Sequence, residues 1–277
     1  AQQYPFKPSL HGHRRVTIYY DSLFEKCLNP IPGSHENIVT IDPAYACCNM
    51  NDSMKRLKMV RQRIENACIS AGRQPGEVAL LAVGKRHAPE KILALYKQGL
   101  LSFGENQLQE ALQKQQELAE LDLQWHFIGT CQSNKTRAIA ENFQWVQSVD
   151  RPKILNRLSS QRPDSLQPLN ICLQVNIDRE PQKAGAKPEE ILQLASLTRG
   201  LDNIRLRGLM AIPRVTDNLD EQHESFRKVR ALFETLQKEG YDIDTLSMGM
   251  SSDLEVAIAE GSSMVRIGTD LFGRRES

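Results

Sequence analysis

Short apolar runs rich in β-branched residues recur along the chain from Val78 onward, and stretches with apolar residues on one helical face separate them. Eight such runs predict strands, and they span Val78–Gly84, Leu100–Gly104, Trp125–Gly129, Trp145–Val149, Ile171–Asn176, Leu206–Ile212, Thr245–Met250 and Met264–Thr269. Strands and helices that alternate in this way are typical of parallel β/α units. Eight units in about 200 residues favour one closed barrel, because a full (β/α)8 barrel has this size.

The predicted fold is therefore a single-domain α/β structure, a (β/α)8 or TIM barrel. A doubly wound open sheet stays as the alternative, because the order of strands and helices does not by itself show closure. Helical segments between the strands, such as Ala88–Gly99 and Lys187–Gly200, begin next to a proline and end at a glycine. Proline near the start and glycine at the end are common boundaries of helices.

The first 49 residues differ from the rest of the chain, because they show no sustained hydrophobic period and contain five prolines. A helix is then predicted from Met50 to the stop at Gly72, with Leu57 on its apolar face. We therefore predict an N-terminal extension over residues 1–49 and one barrel domain over residues 50–277.

Composition narrows the classes of protein and of partner. The 277 residues are 40% hydrophobic and 25% charged with a net charge of +1, which gives no field that would attract nucleic acid or an anionic membrane. No apolar run approaches the roughly 20 residues of a membrane span, and the N-terminus lacks the order of a secretory signal. The six cysteines have no C-x-x-C spacing and are interpreted as reduced thiols. We expect a cytoplasmic monomer with a small-molecule or protein partner and no metal.

A lysine follows the first predicted strand, at the end where chemistry collects in a barrel of this kind. This residue is Lys85, directly after the apolar run Leu80–Gly84. A partly desolvated lysine has a lowered pKa and can form a Schiff base with an aldehyde. The structural alternative is a side chain that reaches solvent or pairs with a carboxylate such as Glu105. The spacing leaves both interpretations open.

The ends of the seventh and eighth strands combine glycines with hydroxyl side chains, at Gly249, Ser251, Gly268 and Thr269. Loops after these two strands often bind phosphate in a barrel, because glycine lets backbone N–H groups approach the anion. Helix capping by Ser251 explains the same residue types equally well. Arg266 lies within an apolar strand, where its guanidinium needs a carboxylate or a ligand as acceptor.

Several longer motifs follow one another along the chain. They are LLAVGK, FGENQLQE, WHFIGTCQSNK, LRGLMAIP, LSMGMSSDLEVAI and MVRIGTDLFG, all between Met50 and Arg275. With these motifs the sequence resembles the pyridoxal-phosphate homeostasis protein family, whose members are single-domain barrels similar to the N-terminal domain of alanine racemase. The resemblance implies a barrel of fold type III and pyridoxal 5′-phosphate (PLP) as the cofactor.

The resemblance also implies roles for individual residues. It makes Lys85 the residue that holds PLP as a Schiff base. Asn106 would lie close to the cofactor ring, and Arg266 would face the pyridine nitrogen. The residues that would hold the phosphate are Ser247, Gly249, Gly268 and Thr269. No catalytic residue is assigned.

Three positions depart from the family pattern. Gly84 stands where the family usually has serine, Arg86 where it commonly has threonine, and Ala184 where it has a serine before glycine. Lys85 itself is intact, so we expect PLP binding to be retained. The missing hydroxyl groups put the affinity for the cofactor in question.

The function that the resemblance implies is intracellular PLP and amino-acid homeostasis, with the protein as a carrier or buffer that releases the cofactor to apo-enzymes. An arginine at the pyridine nitrogen would keep that nitrogen unprotonated and weaken PLP as an electron sink. The alternative is a PLP-dependent amino-acid racemase or related enzyme, which needs a second base that we do not identify in the sequence. A third hypothesis is a barrel with a vestigial site that acts only through partner proteins.

Overall fold

The computed structural model describes residues 43–273, in which strands and helices alternate along the chain. The strands are β1 (Ala79–Val83), β2 (Ser102–Glu105), β3 (Gln124–Phe127), β4 (Trp145–Val149), β5 (Leu169–Val175), β6 (Ile204–Ala211), β7 (Thr245–Ser247) and β8 (Met264–Ile267). The helices are α1 (Pro43–Ser70), α2 (Pro89–Tyr96), α3 (Leu108–Glu117), α4 (Thr136–Asn142), α5 (Pro152–Gln161), α6 (Ile191–Thr198), α7 (Leu219–Lys238), α8 (Leu254–Ala259) and α9 (Thr269–Phe272). Two short 3-10 helices, Pro75–Glu77 and Pro188–Glu190, precede β1 and α6.

The eight strands form one closed sheet in chain order, and every neighbouring pair is parallel. The barrel closes where β8 lies beside β1, with Leu81 opposite Arg266 and Ala82 opposite Ile267. This closure confirms the predicted (β/α)8 barrel, and the alternative of an open sheet is wrong. Each of the eight apolar runs overlaps the strand found at its place.

Burial on both faces explains why the strands read as nearly continuous apolar runs. All five residues of β4 are buried, and so are Phe103 on β2 and Ile171 on β5. The outer helices turn one apolar face toward the sheet, as α7 does with Phe226, Val229 and Leu236. The core therefore lies partly between sheet and helices and partly inside the barrel.

Polar side chains also enter the barrel interior. His126 on β3 is fully buried, and its ring stacks on Trp145 at a centroid distance of 5.0 Å. Gln147 on β4 places its Nε2 3.0 Å from Nδ1 of His126. Burial lowers the pKa of His126 to about 3. The ring is therefore neutral at ordinary pH, and its Nδ1 accepts the proton of the Gln147 amide.

Helix α1 lies on the outside of the barrel against α2, α8 and α9. Arg63 on this helix pairs with Glu255 of α8 and with Asp270 of α9. The helix begins at Pro43 and not at Met50, where the hydrophobic period starts. Proline is compatible with the first turn of a helix, because the N–H that it lacks has no partner there.

Most of the predicted extension, residues 1–49, lies outside the described residues, so its boundary at residue 50 stays a prediction. Within residues 43–273, no helix combines the length and the apolar character that crossing a bilayer requires. In the same range Cys68, Cys131 and Cys172 are buried free thiols, as the cysteine spacing indicated.

Candidate functional site

The carboxyl ends of β1, β2, β7 and β8 form one edge of the barrel rim, and the predicted site residues lie along this edge. Lys85 follows β1, and Asn106 follows β2. Arg266 lies on β8, which pairs with β1. Gly268 follows β8, and a Cβ atom there would lie 3.4 Å from the carbonyl oxygen of Val83, at the end of β1. Residues far apart in sequence thus meet at neighbouring strand ends.

A buried ammonium group lies against the turn that carries Lys85. Lys114 of α3 is 4% exposed, and its Nζ donates to the backbone oxygen of Gly84 at 2.7 Å. Two carboxylates complete its surroundings, with Oε1 of Glu105 at 2.8 Å and Oε1 of Glu110 at 2.6 Å. Burial raises the pKa of Glu105 to about 7, although Lys114 acts in the opposite direction. We call Glu105, Glu110 and Lys114 the Lys114 cluster.

Two of the departures from the family pattern contact this cluster. A Cβ atom at Gly84 would lie 2.7 Å from Oε1 of Glu105, well inside van der Waals contact, so glycine makes room for the buried carboxylate. Arg86 adopts a φ of +61°, in the left-handed region that few residues other than glycine enter. Its N–H donates to Oε1 of Glu110.

Two buried oxygen atoms at the end of β2 have no hydrogen-bond donor within residues 43–273. They are Oδ1 of Asn106 and Oε2 of Glu105. Buried polar atoms without a partner are uncommon, because each one costs free energy that a hydrogen bond would recover. Two unpaired oxygen atoms therefore lie at the end of β2, the strand that pairs with β1, and they could accept hydrogen bonds from a ligand.

Arg266 is a buried cation on the other side of β1. It is 4% exposed, and its Nη1 donates to the carbonyl and the hydroxyl oxygen of Ser247 at 2.6 and 2.8 Å. Its Nη2 donates to the carbonyl of Ala211 at 2.8 Å. These acceptors are neutral, and no carboxylate among the described residues forms an ion pair with it. Burial lowers the pKa of Arg266 to about 10, so the side chain still carries its charge at neutral pH.

Ser247 lies inside the barrel, with its side chain fully buried on β7. Its hydroxyl donates to Oε1 of Gln147 at 2.7 Å and accepts from Arg266. Gln147 in turn contacts His126, so the hydroxyl belongs to a chain of neutral polar groups across the barrel. The hydroxyl of Ser247 is therefore hydrogen-bonded to both Arg266 and Gln147.

The loop after β7 combines a glycine of unusual backbone conformation with N–H groups that are unpaired among residues 43–273. Gly249 has a φ of +97°, and a Cβ atom there would lie 2.6 Å from a side chain of α8. Within the described part of the chain, the N–H groups of Gly249 and Ser251 have no acceptor. The N-cap residue of α8 is Asp253, so the alternative reading of Ser251 as a helix cap is wrong. Gly268 and the exposed Thr269 begin α9 on the neighbouring strand end.

Sequence reasoning missed Lys114, Glu110 and Gln147. Lys114 lies in the polar run Gln113–Glu117, which reads as a solvent-facing part of a helix. The only local signal was its spacing of four residues from Glu110, which favours a surface ion pair. Its burial depends on contacts with β1 and β2, which no local pattern shows.

Comparison with known proteins identifies the family. A sequence model of the alanine racemase N-terminal domain matches residues 57–276. The pyridoxal phosphate homeostasis protein of Pseudomonas aeruginosa is 53% identical over 227 residues, which cover 82% of this chain and 97% of that relative. The chain belongs to the pyridoxal phosphate homeostasis protein family. A further relative with that name, from Escherichia coli, is 45% identical over 230 residues, which cover 82% of this chain and 98% of the relative. The predicted family is confirmed.

Solved structures agree with this family and with the barrel. PipY of Synechococcus elongatus, solved with PLP bound, aligns with a TM-score of 0.70 at 35% identity, over 80% of this chain and 100% of PipY. An alanine racemase from Clostridium difficile aligns with a TM-score of 0.67 at 15% identity, over 82% of this chain and 58% of the racemase. The racemase likeness shows the shared barrel alone.

Proposed function

We propose that this chain binds PLP at the rim formed by β1, β2, β7 and β8, with Lys85 as the covalent attachment residue, and serves PLP homeostasis as a carrier or buffer. The observation that carries the proposal is Arg266, a buried cation with neutral partners only, on the strand beside the one that presents Lys85. The family names and the PLP-bound structure of PipY support the identity of the ligand.

The residues present fit this cofactor. The unpaired Oδ1 of Asn106 suits a position close to the ring, and Arg266 has two of its five N–H bonds left beyond its three protein acceptors. The N–H group of Gly249, together with Gly268 and Thr269, would bind the phosphate, in agreement with the roles that the resemblance implies. Ser247 would also contribute, by holding Arg266.

The chemistry that PLP supplies when bound is an aldehyde that condenses with a primary amine, with loss of one water, and a pyridine ring that withdraws electrons. Arg266 keeps its proton at neutral pH, so it can donate a hydrogen bond to the pyridine nitrogen without protonating it. An unprotonated ring withdraws electrons weakly. This setting favours storage of the cofactor over bond-breaking at a substrate.

A racemase is the second candidate, because the alanine racemase barrel has the same architecture. Racemization needs acid–base groups on both faces of the substrate. Of the tyrosines whose side chains are described, Tyr96 lies on α2 and Tyr241 precedes β7 at the opposite rim, where it stacks under Arg199.

To test for a racemase, we would measure exchange of the α-proton of amino acids in heavy water, and we expect none above the rate with free PLP.

The direct test of binding is titration with PLP, followed by visible absorption and by dialysis. Wild type and the control Lys97→Ala, an exposed lysine of the same βα unit, should keep about one PLP per chain through dialysis. Lys85→Ala should lose the cofactor, because the covalent bond is gone. Equal retention by Lys85→Ala and by wild type would overturn the assignment of Lys85.

The same proposal includes a cytoplasmic location, a monomeric state and apo-forms of PLP-dependent enzymes as recipients. A carrier should reactivate such an apo-enzyme when the loaded protein is added. A protein that holds PLP irreversibly should not do so. Recovery of apo-enzyme activity at matched concentrations of loaded protein and of free PLP measures the difference.

A further inference from the structure

The Lys114 cluster joins three elements around the turn after β1. Glu105 ends β2, whereas Glu110 and Lys114 lie one turn apart on α3. Glu105 is fully buried and Lys114 is 4% exposed, so the contacts of the ammonium group with Glu105 and with the Gly84 carbonyl are shielded from water, whereas Glu110 is partly exposed. Shielded hydrogen bonds between charged groups are short and hold a fixed geometry. The cluster is therefore a rigid support and not a surface ion pair.

The cluster holds the backbone on both sides of Lys85. The carbonyl of Gly84, in the peptide group that precedes Lys85, accepts from Nζ of Lys114 at 2.7 Å. The N–H of Arg86, in the peptide group that follows Lys85, donates to Oε1 of Glu110. That same oxygen atom accepts from Lys114. Both peptide planes next to the Cα atom of Lys85 thus form hydrogen bonds to the Lys114 cluster, one to its buried ammonium group and one to the partly exposed Glu110.

The conformation of this turn needs such a support. Arg86 has a φ of +61°, which is unfavourable for a residue with a Cβ atom and persists only when the surrounding contacts hold it. Gly84 has no Cβ atom, which lets Oε1 of Glu105 approach the end of β1. Two unusual residues on either side of Lys85 are therefore accommodated by the same cluster.

We infer that the Lys114 cluster is the positioning device for the amine of Lys85, and that Glu110 is the positioning residue that links it to the turn. The cluster fixes the backbone on both sides of Lys85 and thereby the direction in which its side chain leaves the turn after β1. This inference rests on the proposed function, because it assigns the cluster a part in covalent PLP binding. Glu110 touches the backbone of the turn and is not itself assigned to the cofactor.

The test compares three variants and two ligands. Glu110→Ala removes the acceptor for Arg86, Glu110→Gln keeps an acceptor oxygen, and Glu117→Ala is the matched control at the exposed end of the same helix. The ligands are PLP and pyridoxine 5′-phosphate, which carries an alcohol in place of the aldehyde and forms no bond with an amine. Dissociation constants for both ligands and the melting temperature of the ligand-free protein are measured for each variant.

We expect Glu110→Ala to weaken PLP binding by about tenfold, the factor that corresponds to loss of one hydrogen bond to a charged group. Its affinity for pyridoxine 5′-phosphate should stay at the wild-type value, because that ligand needs no positioned amine. Glu110→Gln should restore most of the PLP affinity, and Glu117→Ala should match wild type with both ligands.

Two results would overturn the inference. One is an equal loss of affinity for both ligands in Glu110→Ala, which would show a general disturbance of the site. The other is wild-type affinity of this variant for PLP. Failure of the proposed function would appear separately, in the binding curves of the wild-type protein. It would be seen if wild type binds neither PLP nor pyridoxine 5′-phosphate, or binds both equally well.

Discussion

Two buried cations lie on either side of β1, and their surroundings are opposite in kind. Lys114 and Arg266 are each 4% exposed. Lys114 contacts two carboxylates and one carbonyl, whereas Arg266 contacts two carbonyls and a hydroxyl. A buried charge without a counter-charge is costly unless another group compensates for it. The first cation therefore has its counter-charges in direct contact, whereas the second has neutral hydrogen-bond partners, with Asp253 as an opposite charge outside ion-pair distance. This leaves N–H groups of Arg266 for the proposed ligand.

This difference divides the site into two halves. The half at β1 and β2 is ionic and fixes the backbone around Lys85. The half at β7 and β8 is built from glycine backbone and neutral acceptors around Arg266. PLP carries an aldehyde, which needs an amine, and a phosphate, which needs hydrogen-bond donors. The half at β1 and β2 fits the aldehyde, and the half at β7 and β8 fits the phosphate.

The largest expected effect is a difference in the free energy of unfolding between variants that remove one or the other of the two buried cations. Lys114→Met should lower the free energy of unfolding by about 3–5 kcal/mol, because it leaves the buried Glu105 and the partly exposed Glu110 without their shared cation. Arg266→Met should cost only about 1–2 kcal/mol, because the lost hydrogen bonds are offset by removal of a desolvated charge. Urea unfolding of the ligand-free proteins measures both, with Lys97→Met as the surface control. An Arg266→Met cost equal to that of Lys114→Met would break the comparison.

The next effect is the pH dependence of stability that Glu105, in the half at β1 and β2, should cause. The pKa of Glu105 is raised by burial from 4.5 to about 7, so between these values the folded protein holds a proton that the unfolded chain has released. Wild type should therefore lose stability as pH rises through this window, by up to roughly 3 kcal/mol. Glu105→Gln does not titrate and should lack this loss. Unfolding curves for the two proteins across the window give the difference, and parallel pH dependences would contradict a protonated Glu105.

The smallest effect concerns the departure at residue 84. Gly84→Ser places a Cβ atom 2.7 Å from Oε1 of Glu105, so this carboxyl group must move by a few tenths of an ångström against the hydrogen bond from Lys114. We expect a loss of about 1 kcal/mol or less in stability, with one PLP per chain still bound, since the new hydroxyl can donate to the unpaired Oε2. Thermal unfolding and PLP titration check this result. Loss of PLP binding would show that the turn does not tolerate the shift.

The fold could be predicted from the sequence because its signal is local. Each strand is a short apolar run, and each run is bounded by residues that end it, as Gly84 and Gly129 do. The count of eight strands favoured a closed barrel. Only the pairing of β1 with β8 in the structure shows that the barrel closes. Local patterns therefore indicated the elements, whereas the order of pairing came from the structure.

The site was only partly predictable, because its contacts join residues that are distant in sequence. Lys85 and Arg266 stand out as charged residues at the end of or within apolar runs. Ser247 was assigned to the phosphate by the family resemblance, and its contact with Gln147, 100 residues away, could not be predicted from any local pattern. The burial of Lys114 was hidden in the same way, since Lys114 lies in the polar run Gln113–Glu117.

Covalent attachment of PLP at Lys85 is the central claim, and reduction with borohydride tests it most directly. The loaded protein is reduced, digested and mapped by mass, beside Lys85→Ala treated identically. The account predicts a pyridoxyl group on Lys85 of wild type in near-stoichiometric amount and none at any lysine of the variant. A wild-type protein with no pyridoxyl group on Lys85, or with the group spread over other lysines, would contradict it.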